Sequence, residues 1–170
     1  MGSTLTVDNI VGATTAANVK LPAGAVLQMQ TNSLSGNTAQ YTGTAFTDTG
    51  LAVNITPKFA TSKIFVLVTQ QIGITKSASS DAARMDTRLM ETNSGTVVSA
   101  TRFQGMDTMG TGNLSVIHCQ HGHFQCSTTN LLQFKSQARP AGETANSAAA
   151  LFLGWYSDSV HNITVMEIAQ

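Results

Sequence analysis

No stretch of this chain sustains a 3.6-residue apolar repeat. Where apolar residues recur, they do so at alternate positions or in short β-branched runs. That rules against helix packing and for pleated strands, whose side chains alternate between two faces. In Ala25–Thr31, Leu27 and Met29 face one way while Val26, Gln28 and Gln30 face the other. Leu51, Val53 and Ile55 share a face, as do Ile163 and Val165 near the end. Ser62–Thr75 is near-continuously apolar from Ile64 to Val68, which predicts a strand buried on both faces with Phe65, Leu67 and Val68 in the core. Asn93-Ser94-Gly95 can take the positive φ of a hairpin turn, so Ala83–Thr92 and Thr96–Phe103 read as its strands. Arg84, Asp86 and Arg88 would then share one face, and Met85, Thr87 and Leu89 the other. A short helix over Ala82–Met90, capped by Asp81, competes with this reading.

Further strands are expected at Thr38–Thr47, Leu114–Cys126, Thr129–Gln137, Ala148–Ser157 and Val160–Gln170. Polar, Gly- or Ser-rich loops are expected at Asn32–Asn37, Lys76–Asp81, Gln104–Asn113 and Arg139–Ser147, and a turn at Asp48-Thr49-Gly50. Eight to ten strands with short connections predict an all-β chain, a two-sheet sandwich of jelly-roll type. Residues 1–25 do not belong to it. Their apolar residues, Leu5, Val7, Ile10, Val11, Val19 and Leu21, are scattered among Gly, Ala, Thr and Asn. Such a segment cannot offset an ordering cost of about 1–2 kcal/mol per residue without a partner. It reads as an arm jointed at Pro22–Gly24 to a domain over 26–170, with those six residues as its anchors.

Nine basic residues balance nine acidic ones, so phosphate binding by a basic chain and attraction to anionic lipid are not expected. No run of eighteen apolar residues appears, and the first residues lack the pattern of a signal peptide. Charged residues are 11% of the chain, against a usual value of about 25%. A neutral polar surface would explain this, as would an obligate oligomer whose interfaces need no charge. The oligomer is favoured, because a monomer so poor in charge is badly protected from association.

The run TLTVDNIVGATTAANVKLPAGAVLQMQ resembles the opening of virion fibre proteins of tailed phages, of the cyanophage and aquatic podovirus type. DTGLAVNITPKFATSKIFVLV (Asp48–Val68), LGWYSDS (Leu153–Ser159) and ITVMEIAQ (Ile163–Gln170) are similar to the same group, and Lys76–Pro140 is not. The resemblance implies a homotrimer located in the virion and assembled in the host cytoplasm. It implies an arm bound to another virion protein, a tail adaptor or the capsid, and no enzymatic activity. It also implies contact with a host-surface glycan or lipopolysaccharide through the diverged loops, where Ser79, Met106, Asp107, Met109 and Glu143 are candidate receptor-contact positions. A capsid fibre or decoration protein, and a carbohydrate-binding module, remain alternatives.

No catalytic motif is present, and the spacing of the carboxylates singles out no acid pair. No cofactor is expected. His118-Cys119-Gln120-His121-Gly122-His123 places His121 and His123 side by side on one strand face, about 6.5–7 Å apart. Those two could bind a metal, and His-x-His elements of some trimeric phage spikes are similar, but ordinary strand or interface histidines are the favoured reading. Cys119 and Cys126, seven positions apart, would face opposite ways and stay free thiols. Trp155 and Tyr156 could stack on a sugar, although a core or intersubunit role is favoured.

Overall fold

The computed structural model describes residues 21–36, 40–41, 44–76, 84–104, 112–141, 150–153 and 159–170. Among them are ten strands: β1 (Val26–Ser35), β2 (Gln40–Tyr41), β3 (Thr47–Ile55), β4 (Lys63–Lys76), β5 (Arg84–Glu91), β6 (Thr96–Gln104), β7 (Gly112–Gln125), β8 (Leu132–Pro140), β9 (Ala150–Leu153) and β10 (Val160–Ile168). One sheet has β1, β10, β4 and β7 in order, with the short β9 and β2 continuing from β4. β7 runs along the whole of β4, from Lys63 to Lys76. β10 and β9 therefore share the other edge of β4, pairing with Lys63–Thr69 and Ile72–Thr75 respectively. The second sheet has the order β3-β8-β5-β6. All pairs are antiparallel. Apart from the β5–β6 hairpin, the connections between long strands cross from one sheet to the other, so the eight long strands form a jelly-roll sandwich.

Alternation builds the core. Ile64, Val66 and Val68 of β4 meet Ile163 and Val165 of β10 on the inner side of the first sheet. Leu51, Val53, Ile55, Leu89, Leu132 and Phe134 come from the second sheet. Phe134 packs edge-on against Phe124 at 5.6 Å. A polar layer borders this core. Gln70 and His161 are fully buried, and the Gln70 amide oxygen accepts from the Ser136 hydroxyl at 2.9 Å. Next to them the Thr87 hydroxyl lies 3.0 Å from His118 Nε2, and Thr49 donates to the Ser136 carbonyl. Beyond this layer the side chains turn apolar again, with Ile72, Met85 and Ala138 buried.

Several local readings need correction. Phe65 and Leu67 are half-buried on the outer face of β4, and of the three expected core residues there only Val68 faces inward. A continuous apolar run suggests burial on both faces, but the core occupies one face only. Asn32–Ser35 is strand rather than loop, because β10 supplies hydrogen-bonding partners as far as the Ser35–Val160 pair. Asp48-Thr49-Gly50 does not turn the chain. It is an irregularity inside β3, where the pairing with β8 shifts between Asp48 and Ala52 and Gly50 takes φ +84°. Of the expected strand at Thr38–Thr47, Gln40–Tyr41 and Thr47 are strand, whereas 44–46 are not. β8 begins three residues later than expected and runs to Pro140. The competing helix over Ala82–Met90 does not form, since β5 is paired on both edges by β6 and β8. The Asn93–Gly95 hairpin stands as read, with Gly95 at φ +69° and Glu91 accepting from the Asn93 and Ser94 amides.

Gly122 neither bends nor ends β7, which continues through it. A Cβ there would lie 2.8 Å from both Val98 Cγ1 and Val98 O, so the glycine is what lets β7 and β6 close the side of the sandwich.

The polar layer sets a pH dependence. Burial lowers the pKa of His118, and also of His161, where a hydrogen bond with Gly36 opposes it in part. His161 Nδ1 accepts from the Gln71 amide at 3.1 Å, which fixes that nitrogen unprotonated in the fold. Their neutral forms are favoured when folded. Stability is therefore complete above the unfolded histidine pKa of about 6.5 and falls as pH drops below it, by up to about 1.4 kcal/mol per pH unit for each histidine. At fixed protein concentration the urea midpoint should fall between pH 7.5 and 5.5, and His161→Gln should flatten that fall. An unchanged midpoint in wild type would contradict the buried neutral histidines.

Candidate interaction surfaces

The outer faces of the two sheets differ in charge. On the first sheet, register puts Met29, Met166, Phe65 and His123 in one row across β1, β10, β4 and β7. The next rows are Thr31, Thr164, Leu67 and His121, then Ser33, Asn162, Thr69 and Cys119. None of these twelve side chains is formally charged if the histidines are neutral, and Lys63 stands at the end of the face. Their polar groups satisfy one another. The Thr31 and Thr164 hydroxyls are 3.0 Å apart, and Ser33 donates to Asn162 at 2.6 Å. Thr69 lies 3.7 Å from Cys119 Sγ, and Gln71 donates to Ser115 at 3.0 Å. Large apolar side chains stand in solvent on the same face: Met29 is 59% exposed, Ile117 75% and Val160 57%.

His121 and His123 are placed as the alternation requires, on this outer face in adjacent rows, with Cys119 in the row after His121. The His121 ring lies 5.9 Å from Phe65. No group of three or more His, Cys, Asp or Glu that could hold a metal occurs among the described residues. Cys119 is an exposed free thiol and Cys126 a buried one, as their opposite faces demand. Burial and nearby Glu167 push the Cys126 thiol up to about 11, so it stays protonated and unreactive.

The second sheet carries on its outer face every arginine of the chain: Arg84 and Arg88 on β5, Arg102 on β6 and Arg139 on β8. Asp86 sits between two of them. It accepts from Arg102 at 2.7 and 3.1 Å and from Arg139 at 3.0 and 2.8 Å. The Arg102 hydrogen bond, outweighing burial and assisted by Arg139, holds the Asp86 carboxyl below its ordinary pKa. The Arg88 and Arg139 guanidiniums lie over the Phe46 ring at 4.1 and 4.5 Å. Arg88 also donates to Gln137, and Lys135 pairs with Asp48 at 2.7 Å. An open groove of about 460 Å³ follows this cluster, lined by Phe46, Asp86, Ala100, Thr101, Arg102 and Arg139.

A third feature is the root of the arm. The Gly24 amide donates to the Ala169 carbonyl at 2.8 Å, and the Ala169 amide to Ala25 at 2.9 Å. Fully buried Glu167 accepts from the Gln28 side chain at 2.6 Å and from the Lys58 and Phe59 amides at 2.8 and 3.2 Å. Leu21 is half exposed and lines a cleft of about 150 Å³ with Leu27, Phe59 and Ala169. The other expected anchors, Leu5, Val7, Ile10, Val11 and Val19, lie outside the described residues. So do the candidate contact positions Ser79, Met106, Asp107, Met109 and Glu143, and the aromatics Trp155 and Tyr156. Sequence reading placed Arg84, Asp86 and Arg88 on one face. It missed Arg102 and Arg139, which join them only through the pairing of β5 with β6 and β8, and Phe46, which arrives just ahead of β3 through the pairing of β3 with β8.

Among the described residues, no helix is long and apolar enough to cross a membrane. No family model matches the chain, and no curated protein matches it. Solved structures similar to it include the VP2 subviral particle of infectious bursal disease virus, at 11% identity and TM-score 0.44, over 85% of this chain and 34% of that one. The insecticidal delta-endotoxin Cry8Ea1 of Bacillus thuringiensis is similar at 13% identity and TM-score 0.41, over 76% of this chain and 19% of that one. Eiger TNF of S. frugiperda is similar at 9% identity and TM-score 0.35, over 81% of this chain and 94% of that one. The chain thus spans about a fifth of the endotoxin and a third of the viral particle protein.

Proposed function

We propose that this chain is a virion structural protein of the phage-fibre type, a homotrimer whose arm docks on the particle and whose jelly roll is displayed for adhesion. The observation that carries the reading is the outer face of the β1-β10-β4-β7 sheet. It is uncharged, its polar side chains are hydrogen bonded to one another, and its apolar side chains face solvent in the single chain. A surface of that kind loses little on desolvation and gains from covering its apolar atoms. Four strands about 4.8 Å apart and four alternate positions about 6.7 Å apart give a projected area of roughly 500 Å². Side-chain relief raises the accessible area towards the about 800 Å² per partner of a standard interface. The face accounts for the low charge of the chain, because the residues spared from solvent are those that carry none. A trimer also gives weak surface contacts avidity. The arm is read as the attachment device because Gly24 and Ala25, at its joint, are anchored by backbone hydrogen bonds to Ala169, so a bound arm would be coupled directly to the sandwich.

The test has two parts. Light scattering on the full chain should give the mass of three copies, and a monomer at micromolar concentration would overturn the assembly. A chain beginning at Gly24 should keep that mass but fail to enter particles when it replaces the full-length protein during phage growth. Incorporation at the full-length level would remove the arm from the mechanism.

A further inference from the structure

We propose that the groove on the outer face of the β3-β8-β5-β6 sheet binds an anionic saccharide, with the Arg102 and Arg139 guanidiniums gripping its carboxylate or phosphate. This rests on the adhesion reading above and gives it a site and a ligand class. Among the described residues, five cations stand on this face, Arg84, Arg88, Arg102, Lys135 and Arg139, against the two carboxylates Asp48 and Asp86. The face is therefore net positive on a chain that is neutral overall, while the opposite outer face carries almost no formal charge.

The guanidiniums are fixed in advance. Asp86 holds Arg102 and Arg139 by two hydrogen bonds each, and Arg139 donates again to the Thr44 carbonyl at 3.3 Å. Arg88 and Arg139 rest over the Phe46 ring. Each guanidinium has five N–H donors, and these contacts leave Arg102 and Arg139 with donors to spare. The side chains are 55% and 35% exposed, so a ligand can reach them. An oxyanion bound there replaces water on groups that are already ordered, which removes part of the entropic cost of binding.

The shape favours a sugar chain. At about 460 Å³ the groove has the size of a small-ligand site, and it is open along the sheet rather than enclosed. The Phe46 ring and the Ala100 methyl beside the guanidiniums provide the mixed apolar and polar lining that a saccharide uses. A nucleic acid fits less well, because tracking a phosphate backbone requires a longer run of cations than these few.

Calorimetry on the full trimeric chain tests this with four probes: an oligogalacturonate, a phosphorylated mannan oligosaccharide, neutral dextran and single-stranded DNA. Binding of either charged saccharide, absent with dextran and weakened by added NaCl, is expected, and which of the two binds identifies the oxyanion. Arg102→Gln should weaken it at least tenfold. Arg102→Lys should retain part of the affinity, and thermal melting should show both variants folded. Should Arg102→Gln prove unfolded, Ala100→Trp, which crowds the groove from the outer face of the edge strand, must weaken binding instead. No binding of either charged saccharide, equal binding of DNA, or affinity unaffected by these variants would overturn the site. The trimer mass and arm-dependent incorporation are read separately, so a protein that assembles without binding refutes the groove and leaves the fibre reading standing.

Discussion

Aspartate at Leu67 should break the assembly into folded monomers. Leu67 sits in the middle of the uncharged face, between Thr164 of β10 and His121 of β7, and its side chain points away from the core. In the single chain a carboxylate there remains partly solvated, so the sandwich keeps its fold. In a closed trimer the change enters every copy. Each new charge loses water with no lysine or arginine among the described residues beside it, at an effective cost of several kcal/mol per ion. Association should weaken by more than a thousandfold, and the light-scattering mass should fall to that of one chain at micromolar concentration while the far-ultraviolet circular dichroism is kept. Lys63→Asp, at the end of the face, serves as the control and should leave the mass unchanged. A trimer that tolerates aspartate at 67 would move the interface elsewhere.

Phe134→Ala should cost about 3–5 kcal/mol of stability, the largest loss expected from a single truncation in the core. Phe134 is fully buried, paired on β8 with Val53 and Glu91, and its ring packs edge-on against Phe124. It joins the two sheets, so removing it leaves a cavity that neither sheet can close without breaking its own pairing. For a chain of this length the loss should lower Tm by roughly 2–4 °C per kcal/mol, and the urea midpoint should fall with little change in slope. A loss below about 1 kcal/mol would mean that the sheets repack around the gap.

What was legible in the sequence was whatever one strand decides alone. Leu51, Val53 and Ile55 announce their face by alternation, and Asn93-Ser94-Gly95 announces the hairpin. Together with Ile163 and Val165 they were enough for the all-β sandwich. What depends on a neighbour was not legible. Phe65 and Leu67 look like core residues because an uncharged outer face and an inner face have similar composition. Asn32–Ser35 looks like a loop until β10 is placed beside it. Gln70, His118 and His161 interrupt the apolar pattern, and only the facing hydroxyls of Ser136 and Thr87 explain why Gln70 and His118 are inside. The arginine groove was half visible. One strand shows Arg84, Asp86 and Arg88, but Arg102 and Arg139 arrive from two others in a register that local spacing does not encode.

The joint at Gly24 also has a mechanical consequence. β1 begins two residues on, at Val26, and runs antiparallel to β10 over nine registered pairs, from Val26–Ile168 to Ser35–Val160. A pull on the arm along the axis of β1 would load that ladder in shear, with its hydrogen bonds resisting together rather than opening one after another. Under such tension the tether would hold far more firmly than the same bonds would if the strand were peeled away sideways.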